Sequence, residues 1–170
     1  MDYTLSVLVE NHPGVLAQIS GLLSGRGFNI RSIAAGETEE SSITRIVMAV
    51  DGDDRVIDQV KKQLDRLIDV IRITDLTEVP SVDRELALVK VSTTLSRRAE
   101  VFQIVDVFRA KIVDLAHTSL TVEVTGTTDK VEALIEMLKP FGIKEIVRTG
   151  KISIARGEVV TEKGGENQTS

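Results

Sequence analysis

Within the first 80 residues the apolar pattern switches repeatedly between the two-residue period of a strand and the 3.6-residue period of a helix, and that order leaves few folds open. Residues 4–10 (TLSVLVE) alternate, with Leu5, Val7 and Val9 on one face, which predicts a half-buried strand. Val15, Leu16, Ile19, Leu22 and Leu23 follow at helical spacing and predict a helix from about Pro13 to Ser24. "GRGFN" closes it, with Gly25 and Gly27 as candidate left-handed caps. "FNIRSIAAGE" and "ITRIVMAVD", separated by the polar "TEESS", read as a hairpin. "GDDRVIDQVKKQLDRLIDV" carries Val56, Val60, Leu64 and Leu67 at helical spacing, with Asp53 and Asp54 where they favour the helix dipole. "VIRITDL" is a further strand. The order β-α-β-β-α-β is the split βαβ, or ferredoxin-like, arrangement: two helices on one face of a four-stranded antiparallel sheet.

The polar, proline-bearing "EVPSVDRE" (78–85) reads as a boundary, after which the order recurs. "LALVKVS" is a strand; "RRAEVFQIVDVFRA" is a helix with Val101, Ile104, Val105 and Phe108 inward. "KIVDLAHTSLTVEVTG" makes two strands, "DKVEALIEMLKPFG" a helix, and "IKEIVRTGKISIA" the last strands. The predicted fold class is therefore α+β, two tandem ferredoxin-like βαββαβ units, over residues 1–79 and 80–158. The polar, glycine-bearing 159–170 is expected to be a disordered tail. Each unit is small enough that one uncovered apolar face matters. The far face of the first sheet carries Leu8, Val47 and Ala49 beside Ser6 and Arg45, too apolar for full exposure, so a homodimer is expected, by sheet extension or face packing.

Composition removes several classes of function. The formal charge is −5, aromatics are 3 % and there is no Trp, which argues against a nucleic-acid binder with a basic, stacking face. With no Cys, disulfides, thiolate zinc sites and cysteine nucleophiles are excluded. No apolar run approaches the roughly 18 residues of a membrane helix, and the first residues do not form a signal peptide, so the expected location is cytoplasmic. His12 and His117 lie in different units, neither with a nucleophile pattern. "DGDD" (51–54) lacks the ligand spacing of a calcium loop and reads as helix capping. "GLLSGRG" ends a helix rather than opening one, so it is not a phosphate loop, and "RRAE" (97–100) reads as a solvated helix start.

One motif remains. In "ENHPGVL" a strand ends, a loop turns and a helix begins, with its amides free to attract an anion such as a carboxylate. Gly14 sits where glycine weakens a helix by up to about 1 kcal/mol relative to alanine. Without a Cβ it lets a ligand or another backbone approach. Asn11 offers a donor and an acceptor beside it, so the pair could hold both charged ends of an α-amino acid. The competing explanation is tight packing of helix on sheet with Asn11 as the N-cap. The second unit reads "STTLSRRAE" at the corresponding place, without the glycine motif.

"NHPGVLAQISGLLSGRGFNI" resembles the start of an ACT domain, the amino-acid-sensing ferredoxin-like module. Over about residues 3–158 the chain resembles more specifically the small, regulatory subunits of acetolactate synthase (acetohydroxyacid synthase). "GRGFNI", "QLDRLIDVIRI", "RELALVKV" and "GKISIARGE", in that order, carry the likeness. The resemblance implies an ACT domain at 1–79 and no catalysis or cofactor in this chain. It also implies a large thiamine-diphosphate-dependent catalytic subunit as partner, which would carry thiamine diphosphate, magnesium and FAD. The small subunit activates that enzyme and confers feedback inhibition by valine, an end product of branched-chain amino acid biosynthesis. By the same resemblance, ACT domains pair side by side with valine between them. Asn11, Gly14, Val15 and Leu16 then line the pocket from one protomer, and Asn29 and Ile30 reach it from the partner. The second unit is expected to serve dimerisation and contact with the catalytic subunit. The alternatives are a free-standing amino-acid sensor acting on another enzyme or a transcriptional target, and a small ferredoxin-like enzyme.

Overall fold

Strand β1 (Asp2–Glu10) shows why the first sheet forms: Leu5, Val7 and Val9 all turn to one core and are buried there. A computed structural model describes residues 1–158; the segment expected to be a disordered tail, 159–170, lies outside the described residues. After β1 come α1 (Val15–Gly25), β2 (Asn29–Glu37), β3 (Ile43–Asp51), α2 (Asp54–Asp65) and β4 (Val70–Asp75). The strands pair antiparallel in the order β2-β3-β1-β4, which leaves β2 and β4 as edges. Ile19 and Leu23 of α1 and Ile57, Val60 and Leu64 of α2 close over Leu5, Val7, Ile46 and Met48. Val56 and Leu67, expected inside, pack on the rim of this core.

The second βαββαβ run is β5 (Ser81–Ser92), α3 (Arg98–Val107), β6 (Lys111–Leu115), β7 (Ser119–Gly126), α4 (Thr128–Leu138) and β8 (Ile143–Arg148). Its strand order is β6-β7-β5-β8, the same as in the first sheet. Val101 and Val105 of α3 meet Val89, Val122 and Leu134 in an aliphatic core, with Ile104 and Phe108 packed beside them. The α+β class with two ferredoxin-like units thus follows from the same apolar periods in both halves. One element starts earlier than expected: β5 begins at Ser81, inside the stretch read as a boundary.

By compactness the described chain divides into Met1–Val82 with residues 151–158, and Asp83–Gly150. The closing strand β9 (Ile152–Ala155) therefore groups with the first unit, although it follows the second in sequence. It pairs with β5 and lies against β3, and Arg156 ties it back by donating its backbone N–H to Pro80 O (2.8 Å) and Nε to Ser81 O (2.9 Å). Ser153 and Ala155 are buried, and so are Leu8, Val47 and Ala49 on the far face of the first sheet. A second copy is not needed to cover that face. The edges β2 and β4 are the features of the first unit that still invite pairing.

Two of the helix starts, those of α2 and α4, carry side-chain caps. Asp53 of "DGDD" accepts the Val56 N–H at 3.0 Å as N-cap of α2, and Thr127 accepts the Lys130 N–H at the start of α4. Asp54, in the first turn of α2, accepts the Tyr3 hydroxyl; this bond pushes the phenol up to about 12.

Candidate functional site

The sequence places Gly14 in the first turn of a helix beginning near Pro13. The structure corrects this: α1 begins at Val15, and Gly14 is its N-cap, with φ 86° and ψ −3°. The Val15 N–H donates to His12 O at 3.3 Å, so His12-Pro13-Gly14-Val15 is a type II turn, with Pro at the second position and a left-handed Gly at the third. A Cβ built on Gly14 would meet nothing within 4 Å. Close packing therefore does not explain this glycine; the positive φ does. The Pro-Gly dipeptide was the signal that could have shown it.

No side chain caps α1. Gln18 is the first residue to close the helical pattern, donating to Gly14 O at 2.9 Å. The amides of Leu16 and Ala17 are left at the helix mouth without a protein partner among the described residues. Asn11 is not the N-cap either. Its Nδ2 donates to Ser41 O (2.9 Å) and Glu37 Oε1 (3.3 Å), and its backbone N–H to Ser42 O (2.8 Å). It pins the strand end to the β2–β3 hairpin and keeps Oδ1 as an acceptor. Val15 is a core residue, with its N–H engaged in the turn, so neither its side chain nor its amide is offered at the mouth. Leu16 is 46 % exposed beside it, an apolar side chain with no core to enter.

Asn29 and Ile30 lie elsewhere. In register, Asn29 stands opposite Asp51 at one end of β3, while Glu10, next to Asn11, stands opposite Ile43 at the other. Residues 43 and 51 are eight steps apart, about 26 Å at roughly 3.3 Å per residue. One protomer therefore does not bring the six residues together. Asn11 reaches Glu37 at the far end of β2, however, and Asn29 begins that strand. A two-fold axis normal to the sheet would run two β2 edges antiparallel. It would set Asn29 of each copy near the Glu37 end, and so near the Asn11–Gly14 corner, of the other. Asn29 is exposed, and Ile30 leans on the core next to a register shift that bends the edge.

Among the described residues there is no cluster of three or more His, Asp or Glu placed for a metal, and no helix is long and apolar enough to cross a membrane. His12 faces Asp69 at 3.7 Å, an exposed pairing with no nucleophile in it.

Comparison with known proteins gives the family. Residues 5–72 match the model of the AHAS small subunit-like ACT domain, and residues 84–157 match that of the small subunit of acetolactate synthase. The acetolactate synthase small subunit of Aquifex aeolicus is 51 % identical over 165 residues, covering 96 % of this chain and 86 % of the relative. That of Mycolicibacterium smegmatis is 49 % identical over 155 residues, covering 91 % of each. The crystal structure of the acetolactate synthase small subunit from Thermotoga maritima superposes with a TM-score of 0.84 at 40 % identity, over 94 % of this chain and 99 % of that one. With both halves matched and nearly the whole length covered, the chain belongs to the acetolactate synthase small subunit family and carries an ACT domain at its N-terminal end.

Proposed function

We propose that the chain activates a larger, thiamine-diphosphate-dependent acetolactate synthase subunit and makes it sensitive to valine, without catalysing the reaction itself. The observation that carries this is the uncapped mouth of α1. Two unpartnered amides and the helix dipole favour a carboxylate there, Asn11 Oδ1 offers an acceptor for an ammonium group, and Leu16 gives a small aliphatic side chain something to touch. The open β2 edge supports a side-by-side homodimer in which Asn29 and Ile30 complete the site from the partner. Valine then binds across the interface. Thiamine diphosphate, magnesium and FAD belong, on this reading, to the catalytic subunit.

The test is to assay acetolactate formation from pyruvate by the catalytic subunit alone, this chain alone, and the two mixed, each with and without valine. The expected result is no product from this chain, a raised rate on mixing, and loss of that gain with valine. Product from this chain alone, or an unchanged rate on mixing, would overturn the proposal. Capture of a transcriptional partner instead of a large enzyme would favour the free-standing sensor.

A further inference from the structure

The second unit has its own site at the same strand-to-helix corner, built from different chemistry. Strand β5 ends at Ser92, whose N–H donates to Gly142 O at 2.8 Å; Thr93 N–H donates to Thr118 O at 3.0 Å. These bonds fix the chain before α3 on both sides. The corner borders a cavity of about 750 Å³, within the range of small-molecule sites. Thr93, Ser96, Arg97, His117, Thr118 and Lys144 are among the lining residues, and none of the lining residues is a carboxylate. Thr93 is only 5 % exposed, and its hydroxyl has no hydrogen-bond partner in the protein. A buried hydroxyl left this way is destabilising, so its persistence at a cavity wall asks for a partner.

The surrounding groups say what kind. The start of α3 has no side-chain cap, so its first amides and dipole favour negative charge. Arg97 lies over the Phe141 ring, 4.3 Å from its centroid, which holds the guanidinium at the rim. Its ion pair with Glu100, at 3.7 Å, is exposed and weak. The helix start at 97–100 is largely solvated as read from the sequence, but Arg98 is half-buried, donates Nη2 to Ala116 O (2.7 Å) and His117 O (2.9 Å), and anchors the β6–β7 turn beside the cavity. The Thr93 hydroxyl, the Ser96 hydroxyl (3.0 Å from Thr94 Oγ1), the uncapped start of α3 and the cations Arg97 and Lys144 thus border one cavity. A tetrahedral oxyanion uses such a set better than a flat carboxylate does.

The geometry points to a phosphate-binding site in the second unit, at Thr93, Ser96, Arg97 and Lys144, separate from the amino-acid corner of the first. The phosphate group is either the free ion or the headgroup of a small phosphate monoester. The volume admits the ester.

Calorimetric titration of the full chain with inorganic phosphate, glycerol 3-phosphate and acetate, at constant ionic strength, tests this. Saturable binding of phosphate or its ester is expected, with acetate at least about ten-fold weaker. Tighter binding of the ester identifies a metabolite as the ligand; equal binding identifies the free ion. Thr93→Val should weaken binding by about ten-fold or more, the effect of one hydrogen bond to a charged group. Thr93→Ser should restore it, and Lys144→Gln, on the surface of β8, should weaken it without affecting the fold. Gly14→Asp should leave phosphate binding unchanged, so failure of the valine proposal and failure of this one are distinguishable. Non-saturable binding, acetate binding as tight as phosphate, or a folded Thr93→Val chain that binds as the parent does would overturn the inference.

Discussion

Replacing Gly14 separates backbone strain from ligand electrostatics, because the structure makes their magnitudes different. At φ 86° an L-residue pays about 1–2 kcal/mol for the left-handed conformation, and no contact adds to this, since a Cβ there meets nothing within 4 Å. Gly14→Ala should therefore destabilise the first unit by about 1–2 kcal/mol, a shift of roughly 4–8 °C in thermal midpoint per kcal/mol for a unit of this size. Asn and Asp tolerate the conformation better, so Gly14→Asn should lose less. Gly14→Asp should lose least, with about 0.3–1 kcal/mol returned by its charge at the start of α1. The order for valine is different. An aspartate about 5 Å from a bound carboxylate opposes it by about 3 kcal/mol at an effective dielectric constant near 20. Solvent at this exposed mouth lowers that figure, so an increase of at least about ten-fold in the inhibitory valine concentration is expected for Gly14→Asp over Gly14→Asn. Thermal melts, activation of the catalytic subunit and valine titrations on the same preparations give all three orders. The reasoning fails if Gly14→Asp is inhibited by valine as Gly14→Asn is. It fails equally if Gly14→Asp is the least stable of the three and loses activation and inhibition together.

Asn29→Ala should raise the inhibitory valine concentration by about ten-fold or more while activation persists, as expected for a lost polar contact to a charged group; an unmoved inhibition curve would reduce Asn29 to an edge residue. Asp53→Ala should cost about 1 kcal/mol by removing the cap on Val56 N–H, and calcium should not change the melting of the parent chain, which thermal denaturation with and without the ion checks. Burial alone would raise the carboxyl pKa of Asp75, but Lys61 at 2.7 Å and Thr77 outweigh it and hold the pKa below the ordinary 3.8. A depressed carboxylate pKa stabilises the fold above 3.8, and that contribution is lost as pH falls through the folded value. The stability gap between the parent and Lys61→Met should therefore be widest above about pH 4 and shrink below it in urea titrations; a gap independent of pH would rule out this pairing as its source.

The fold was legible because each element declares its period. Leu5, Val7 and Val9 alternate, Val60 and Leu64 repeat at helical spacing, and the same succession recurs after residue 80. What periodicity does not carry is the destination of a short strand. "ISIA" is four residues long, and nothing local says that it pairs with β5 and lies against β3 of the first unit. The apolar far face of Leu8, Val47 and Ala49 was read correctly as needing cover, but the cover is part of the same chain. Burial demand states that a partner surface exists; it does not say whether that surface comes in cis or in trans.

The functional corners were half legible for a related reason. Two helix starts of the same topology differ in which backbone and side-chain groups remain unpaired, and that depends on contacts distant in sequence. Asn11 reads as a cap from its position before the helix, yet Ser41 and Glu37 occupy its amide, and this leaves the mouth of α1 to the bare amides. Arg98 reads as a solvated charge, yet it is half-buried and the Ala116 and His117 carbonyls hold its Nη2. In the first unit the loop turns by a glycine with positive φ and keeps its polar donors few, which suits a ligand that brings its own apolar side chain against Leu16. In the second the loop needs no positive φ, so hydroxyls stand where the Pro-Gly turn would be, and Thr93 is buried among them without a partner. On the two proposals above, the duplication of topology preserves an anion-favouring corner, while the turn chemistry decides which anion each corner can complete.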